Sequence, residues 1–218
     1  NNLIQFKGVL MKISWINDSG IRAETSQGLI LFNHDESSLN ESSQKDENTI
    51  AIFLDENLKK DSEKKLLEST VSIFEPGEYE VNNIPIQSHA IRLNTENLDE
   101  SVNIYSVYSE GMTICYLNEI SKITIPANIT ESIGKIDILI CLSDDSSDKS
   151  VESINSLLSS LDPKILIIVE KGSNQDTSEI YQKLIKGLGH SPEDSVINAN
   201  ITKSSISDTL KVVNLRKS

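Results

Sequence analysis

The stretch of sequence that most constrains the fold lies at residues 49–86. Five consecutive apolar residues at 50–54 stand between polar neighbours, a pattern typical of a strand that is buried on both faces. A polar turn and a short helical pattern follow, then a second apolar run at 71–74 and a turn at 76–79 that contains Pro and Gly. The stretch therefore predicts two strands joined by a connection with some helical character.

The residues that precede this stretch divide into a strand-forming part and a polar part. Three strand-like segments separated by turn-forming residues predict a meander in one sheet, at 4–16, 21–25 and 29–32. Residues 34–48 carry a single leucine among mainly Ser, Asn, Glu and Asp residues. This is too little apolar surface to order the segment strongly, so we expect a mobile loop. A lid, a partner-binding loop and a tolerated insertion all fit this composition, and we favour the insertion.

Strands alternate with helices in the second half of the chain. A strand–helix–strand–helix order implies parallel strands with helices packed on the sheet, and one predicted helix has its apolar residues on a single face. We interpret residues 1–218 as one domain with a meander half and a strand–helix half. The predicted elements are strands at 86–93, 102–108, 112–117, 136–142, 165–169 and 209–215, and helices at 127–133, 150–161 and 176–188.

The formal net charge of −13 over 218 residues limits the classes of molecule that the protein is expected to bind. Nucleic acid and anionic membrane surfaces both require clustered Lys and Arg, so we expect neither. No apolar stretch is long enough for a membrane helix, and the N-terminus has no signal-peptide pattern. Cys115 and Cys141 lie inside apolar strand patterns, which favours buried, unreactive thiols and a cytoplasmic location. The alternative, a disulfide between neighbouring strands, would need an oxidising compartment.

Four short segments carry a family resemblance. Residues 11–16 read MKISWI, residues 74–81 read FEPGEYEV, residues 111–119 read GMTICYLNE and residues 163–168 read PKILII. In this order they resemble segments of the metallo-β-lactamase fold hydrolases, in particular the small bacterial branch that is similar to the ascorbate-phosphate lactonases. The resemblance implies an α/β (α+β) fold, a four-layer αβ/βα sandwich of two mixed sheets flanked by helices.

The same resemblance places a metal site where this sequence lacks the metal ligands. The family carries the motif HxHxDH directly after the buried strand, whereas the corresponding residues here are acidic, amide or lysine residues. Zinc prefers imidazole and thiolate ligands, and a lysine ammonium repels a divalent cation. We therefore expect no catalytic, cofactor-binding or metal-binding residues at this degenerate site. Its positions are Asp18, Asp55, Asn57, Lys59, Lys60, Glu119, Lys122, Asp144 and Glu170.

Two interpretations of this residue cluster remain. We favour a metal-free network in which the lysines neutralise the carboxylates, because buried like charges need compensation. The alternative is a site in which oxygen ligands hold Ca²⁺ or Mg²⁺. The three histidines, His34, His89 and His190, share no ligand spacing, and no G-x-S-x-G motif is present. Residues 172–174 could bind an anion at a helix N-terminus, but a plain turn is the favoured interpretation.

The functional prediction follows from a fold pattern that is retained while the metal ligands are lost. We predict a non-catalytic relative of the hydrolases, a pseudoenzyme that acts as a binding or assembly module for a protein partner or for itself. The alternative is a metal-dependent hydrolase of a small phosphate ester or lactone that uses the carboxylate site. Because a fold does not by itself define an activity, the sequence leaves the partner and the substrate open.

Overall fold

Two β-sheets pack face to face in the computed structural model of the protein, which describes residues 9–16, 19–34, 48–54, 59–60, 66, 69–93, 100–118, 120–143, 146–170 and 178–218. A single cluster of buried apolar side chains contains residues from both sheets and from the helices. The strands are β1 Met11–Trp15, β2 Ile21–Glu24, β3 Leu29–Phe32, β4 Thr49–Ile52, β5 Val71–Ile73, β6 Gly77–Val81, β7 Ile84–Arg92, β8 Ser101–Ser109, β9 Met112–Leu117, β10 Ile138–Ser143, β11 Ile165–Glu170, β12 Asn198–Ile201 and β13 Lys211–Asn214.

Both sheets are mixed, and each combines antiparallel and parallel strands. The first sheet has the order β12-β1-β2-β3-β4-β5, and the second has the order β13-β11-β10-β9-β8-β7-β6. The predicted meander of β1, β2 and β3 is antiparallel, and the predicted parallel pairing of β10 with β11 is present. Residues 50–54 are all buried, as their apolar run predicts. The two mixed sheets with their helices confirm the predicted sandwich.

The helices cover the second half of the chain where the sequence places them. Ser147 caps the second helix, because its Oγ accepts a hydrogen bond from the backbone N–H of Ser150 at 3.2 Å. The buried side chains of that helix include Ile154, Leu157 and Leu161, which is the predicted apolar face. None of the helices in the described ranges is long and apolar enough to cross a membrane. The helices are α1 Ala127–Ile133, α2 Asp148–Leu161 and α3 Glu179–Gly187.

Three sequence predictions need correction. Residues 77–79, which we predicted as part of a turn at 76–79, belong to the strand β6, whose side chains alternate between half-buried and exposed positions. The strand β12 was not predicted, because its sequence Asn-Ala-Asn-Ile contains no apolar run. His34 does not belong to a mobile loop, since its side chain is fully buried. Residues 35–47 lie outside the described residues, so the mobility of that segment stays a prediction.

Tight turns of the two sheets contact each other at one edge of the sandwich. We call this edge the turn edge (residues 26–28, 82–83 and 110–111). Asn82, Asn83, Glu110 and Gly111 all have positive φ angles, as two-residue hairpin turns require. The Glu110 carboxylate accepts a hydrogen bond from the Ser26 N–H at 2.6 Å. These contacts connect the β2–β3 turn of one sheet to the hairpin turns of the other.

We expect the substitution Gly28→Ala to destabilise the turn edge. Gly28 has a φ angle of +149°, and a Cβ atom there would lie 2.2 Å from the carbonyl oxygen of Asn48, which accepts the Leu29 N–H. The expected loss is about 1–3 kcal/mol in the free energy of unfolding, measured with urea. Gly187→Ala is the matched control, because Gly187 ends α3 with no atom within 4 Å of the new Cβ. An equal loss in both variants would show that the close approach at Gly28 is not the cause.

Candidate functional site

The C-terminal ends of the central strands meet at the edge opposite to the hairpin turns, which we call the strand-end edge (the ends of β3, β4, β9, β10 and β11). In the second sheet, Ser143 at the end of β10 is in register with Glu170 at the end of β11. In the first sheet, Phe32 and Ile52 end the parallel pair β3 and β4. The residues that follow these strands therefore lie at a common edge of the sandwich, where α/β proteins commonly bind ligands.

Tyrosine side chains of the second sheet reach the first sheet near this edge. The Tyr116 ring lies 4.9 Å from the Phe32 ring, and its hydroxyl donates to the Ser19 carbonyl at 2.7 Å. The Tyr105 hydroxyl lies within hydrogen-bonding distance of the Phe53 carbonyl, at 3.2 Å, and of the Phe74 carbonyl. These bonds fix the chain directly after β4 and β5. Burial raises the pKa of Tyr105 to about 12, so the hydroxyl stays protonated and can donate.

The structure describes only part of the predicted site. Lys59, Lys60, Lys122 and Glu170 are described, whereas the remaining predicted positions lie outside the described residues: Asp18, Asp55, Asn57, Glu119 and Asp144. Lys59 is half-buried, with its ammonium 5.7 Å from the centre of the Phe74 ring. Lys60 and Lys122 are exposed, and Lys122 ends a short 3₁₀ turn at Ile120–Lys122 just beyond β9.

Glu170 bonds to the beginning of α3. Its Oε2 atom accepts a hydrogen bond from the Ser178 hydroxyl at 2.6 Å and lies 3.5 Å from the backbone N of Ile180. A carboxylate at a helix N-terminus is stabilised by the unpaired N–H groups and by the helix dipole. The network in which lysines neutralise the carboxylates stays a prediction, because most of its carboxylates lie outside the described residues. No sequence pattern indicates the bond from Ser178 to Glu170, because it depends on where α3 begins.

We expect Glu170→Ala to lower the free energy of unfolding by about 1–2 kcal/mol, because α3 loses an acceptor at its N-terminus. Glu170→Gln should cost less, since the amide oxygen can still accept the Ser178 hydroxyl. Glu152→Ala is the control, because Glu152 is an exposed carboxylate of a different helix, α2. Urea unfolding measures all three variants. A stability of Glu170→Ala equal to the wild type would show that the carboxylate does not support the helix.

Sequence reasoning missed two buried polar residues at the strand-end edge. Asn33, at a φ angle of 50°, donates its N–H to the Ile52 carbonyl at 2.7 Å and accepts the Leu54 N–H at 3.3 Å. His34 packs edge-on against Phe53, with ring centres 5.1 Å apart. The only available signal was an asparagine directly after an apolar strand, since Asn tolerates the left-handed region. One histidine thus lies at this edge, although it has no counterpart in the predicted site.

Comparison with known proteins identifies the family. A sequence model of the β-lactamase superfamily domain matches residues 12–170. The match is well over half of the chain and extends from β1 to β11. The chain belongs to the metallo-β-lactamase superfamily. No curated protein sequence matches it. The predicted family is therefore confirmed, although the match does not assign an activity.

Solved structures of this superfamily share the fold at low sequence identity. A Thermotoga maritima protein assigned as a Zn-dependent hydrolase aligns with a TM-score of 0.66 and 17% identity, covering 94% of this chain and 99% of that chain. A protein from Parabacteroides distasonis assigned as a metal-dependent hydrolase aligns with a TM-score of 0.58 and 13% identity, covering 94% of each chain. The Bacillus subtilis protein YhfI aligns with a TM-score of 0.57 and 9% identity, covering 95% and 97%. At these identities, the similarity establishes the fold alone.

The residues that the sequence resemblance places at the superfamily's metal positions do not fit zinc. Among them are carboxylates, an amide and three lysines, with no imidazole and no thiolate, whereas zinc sites are built mainly from histidine and cysteine. Within the ranges that the structure describes, no three His, Cys, Asp or Glu side chains come close enough to hold a metal ion.

Both cysteines are buried and form no disulfide, and burial raises their thiol pKa values well above the ordinary range. They are therefore protonated thiols, as their apolar strand patterns predicted.

Proposed function

We propose that this protein is a non-catalytic member of the metallo-β-lactamase superfamily that binds a protein partner or assembles with itself. The observation that supports this most directly is the position of Glu170. This residue stands where the family has a late histidine ligand, yet its carboxylate accepts the Ser178 hydroxyl at 2.6 Å. A side chain that holds a helix N-terminus is not directed towards a shared metal. The lysines at the motif positions favour the same interpretation, because their charge opposes a divalent cation.

A metal-dependent hydrolase of a small phosphate ester or lactone is the second candidate. It is supported by the similarity to structures assigned as metal-dependent hydrolases and by the buried histidine at the strand-end edge. Here the carboxylates of Asp18, Asp55, Glu119 and Asp144 would provide oxygen ligands for Ca²⁺ or Mg²⁺. We propose a cytoplasmic location for either function, because two free cysteines are typical of a reducing compartment.

The metal content of the purified protein distinguishes the two candidates. We expect less than stoichiometric zinc, manganese and calcium by mass spectrometry after incubation with each ion and dialysis. Retention of one or two equivalents of any ion would contradict the non-catalytic proposal. The matched pair Glu119→Ala and Glu131→Ala then locates such an ion, because Glu131 is an exposed residue of α1. Loss of the ion only in Glu119→Ala would establish the carboxylate site.

Self-assembly is tested separately by light scattering coupled to size-exclusion chromatography. A mass that is a multiple of 24.2 kDa and falls on dilution would support assembly of the protein with itself. A monomer at every concentration would restrict the proposal to a different protein partner.

A further inference from the structure

A cavity of about 250 Å³ separates the edge strands of the two sheets, and we call it the edge slot (β12 on one side, β13 on the other). All four residues of β12 line it. Because successive side chains of a strand point to opposite faces, a cavity that touches four consecutive residues lies along the edge of the strand, where backbone groups are presented. The volume is large enough for several water molecules.

The register of β1 shows which backbone groups of β12 face the edge slot. The Ile16 N–H donates to the Gly20 carbonyl, so the even-numbered residues of β1 direct their N–H and C=O groups towards β2. The odd-numbered residues bond to β12, in the pairs Ile13↔Ala199 and Met11↔Ile201. The backbone groups of Asn198 and Asn200 therefore point away from β1 and into the edge slot.

The backbone on either side of β12 is already hydrogen-bonded, which closes both ends of the edge slot. Val196 donates its N–H to the Asn214 carbonyl and accepts the Arg216 N–H. Thr202 donates its N–H to the Ser205 hydroxyl, and its carbonyl accepts the Ser205 N–H. Between these closed ends, β12 and β13 separate. The unpaired length is therefore about 10 Å, the span of three extended residues.

Charged residues of opposite sign lie at the two ends of the edge slot. Glu193 and Asp194 line the end at Asn214, whose side-chain amide donates to the Glu193 carbonyl at 3.4 Å. Lys211 lines the other end, next to the turn that contains Ser205. An extended peptide bound with its ammonium group at the carboxylates and its carboxylate at Lys211 would run parallel to β12.

We propose that the edge slot binds a free tripeptide as a short parallel strand. In this register the middle residue of the peptide lies opposite Ala199. Its N–H donates to the Asn198 carbonyl and its carbonyl accepts the Asn200 N–H, the alternation that parallel pairing requires. The peptide termini meet the charges at the two ends. Small side chains are required, because the cavity leaves little volume beyond the peptide backbone.

The test uses the full chain and zwitterionic trialanine as the probe. We expect saturable shifts of the Asn198 and Asn200 backbone amide signals in a two-dimensional nuclear magnetic resonance titration at millimolar peptide. Trialanine with an N-methyl group on its second residue is the matched control probe, because it lacks the one N–H that would donate to Asn198. The absence of shifts with trialanine, or equal binding of the methylated probe, would overturn the proposal.

Two further comparisons test the termini. Lys211→Met should weaken trialanine binding about two- to fivefold, as expected for an exposed ion pair, whereas Lys135→Met, at an exposed lysine outside the slot, should have no effect. Hexaalanine should bind more weakly than trialanine, because both ends of the slot are closed. Tighter binding of hexaalanine would instead identify a segment of a longer chain as the occupant and would overturn the tripeptide assignment.

Discussion

Raising the pH from about 9 to about 11 is expected to lower the free energy of unfolding by several kcal/mol through the two cysteines. Cys115 and Cys141 are fully buried, and burial raises both thiol pKa values far above their usual range. In the unfolded chain the thiols lose their protons above about pH 8.5, whereas in the folded protein they keep them. The unfolded state then binds fewer protons, so the stability present below that pH is lost as the pH rises.

Urea unfolding at several pH values measures this loss. The double variant Cys115→Ala with Cys141→Ala removes the thiols, so its stability should be lower at neutral pH but should fall much less steeply above about pH 9. Tyr105 and Tyr116 add to the fall above about pH 10, the usual tyrosine pKa, because burial raises the pKa of both hydroxyls. An unchanged slope in the double variant would assign the loss to other groups.

Asp137→Ala is expected to lower the free energy of unfolding by about 2–4 kcal/mol. Asp137 is a buried residue at the beginning of β10. One carboxylate oxygen accepts the Thr113 N–H at 3.0 Å, and the other lies 2.8 Å from the Lys203 ammonium. The substitution leaves a backbone donor of β9 without its acceptor and removes the connection to the turn between β12 and β13.

Two control variants separate these contributions. Lys203→Met removes only the ion pair and should cost less than Asp137→Ala, because the lysine is half exposed and the carboxylate keeps the Thr113 N–H. Asp208→Ala, at an exposed position of the following loop, should change the stability by less than about 0.5 kcal/mol. Urea unfolding measures each variant. If Lys203→Met were as destabilising as Asp137→Ala, the loss would be assigned to the unpaired Asp137 carboxylate and not to the bond with Thr113.

The central elements of the fold could be predicted because their patterns are strong. The apolar run at 50–54 predicts a strand buried on both faces, and the one-sided apolar pattern of α2 predicts a helix that packs on a sheet. The strands β6 and β12 were not recognised because both are edge strands, in which polar side chains are compatible with pairing on one side only. The partner of β12 is β1, near the other end of the chain, so β12 has no local signal. The strand β6 pairs with the adjacent β7, but its Pro-Gly start and polar residues indicated a turn.

The candidate site was less predictable than the fold. The resemblance gave positions along the chain, but it gave no contacts, and the bond from Ser178 to Glu170 depends on where α3 begins. His34 was assigned to a polar loop because its neighbours on the C-terminal side are polar. Its burial depends on Phe53, which approaches through the parallel pairing of β3 and β4. Such pairing is set by the whole sheet and not by the local sequence.

The two tyrosines that join the sheets near the strand-end edge bond to backbone carbonyl groups. Tyr116 bonds to the carbonyl of Ser19, and Tyr105 approaches those of Phe53 and Phe74. Every amino acid supplies a backbone carbonyl, so these bonds tolerate changes of side chain in the segments that they hold. Substitutions in the segments that contain these carbonyl groups can therefore change the side chains at this edge while the attachment between the sheets persists.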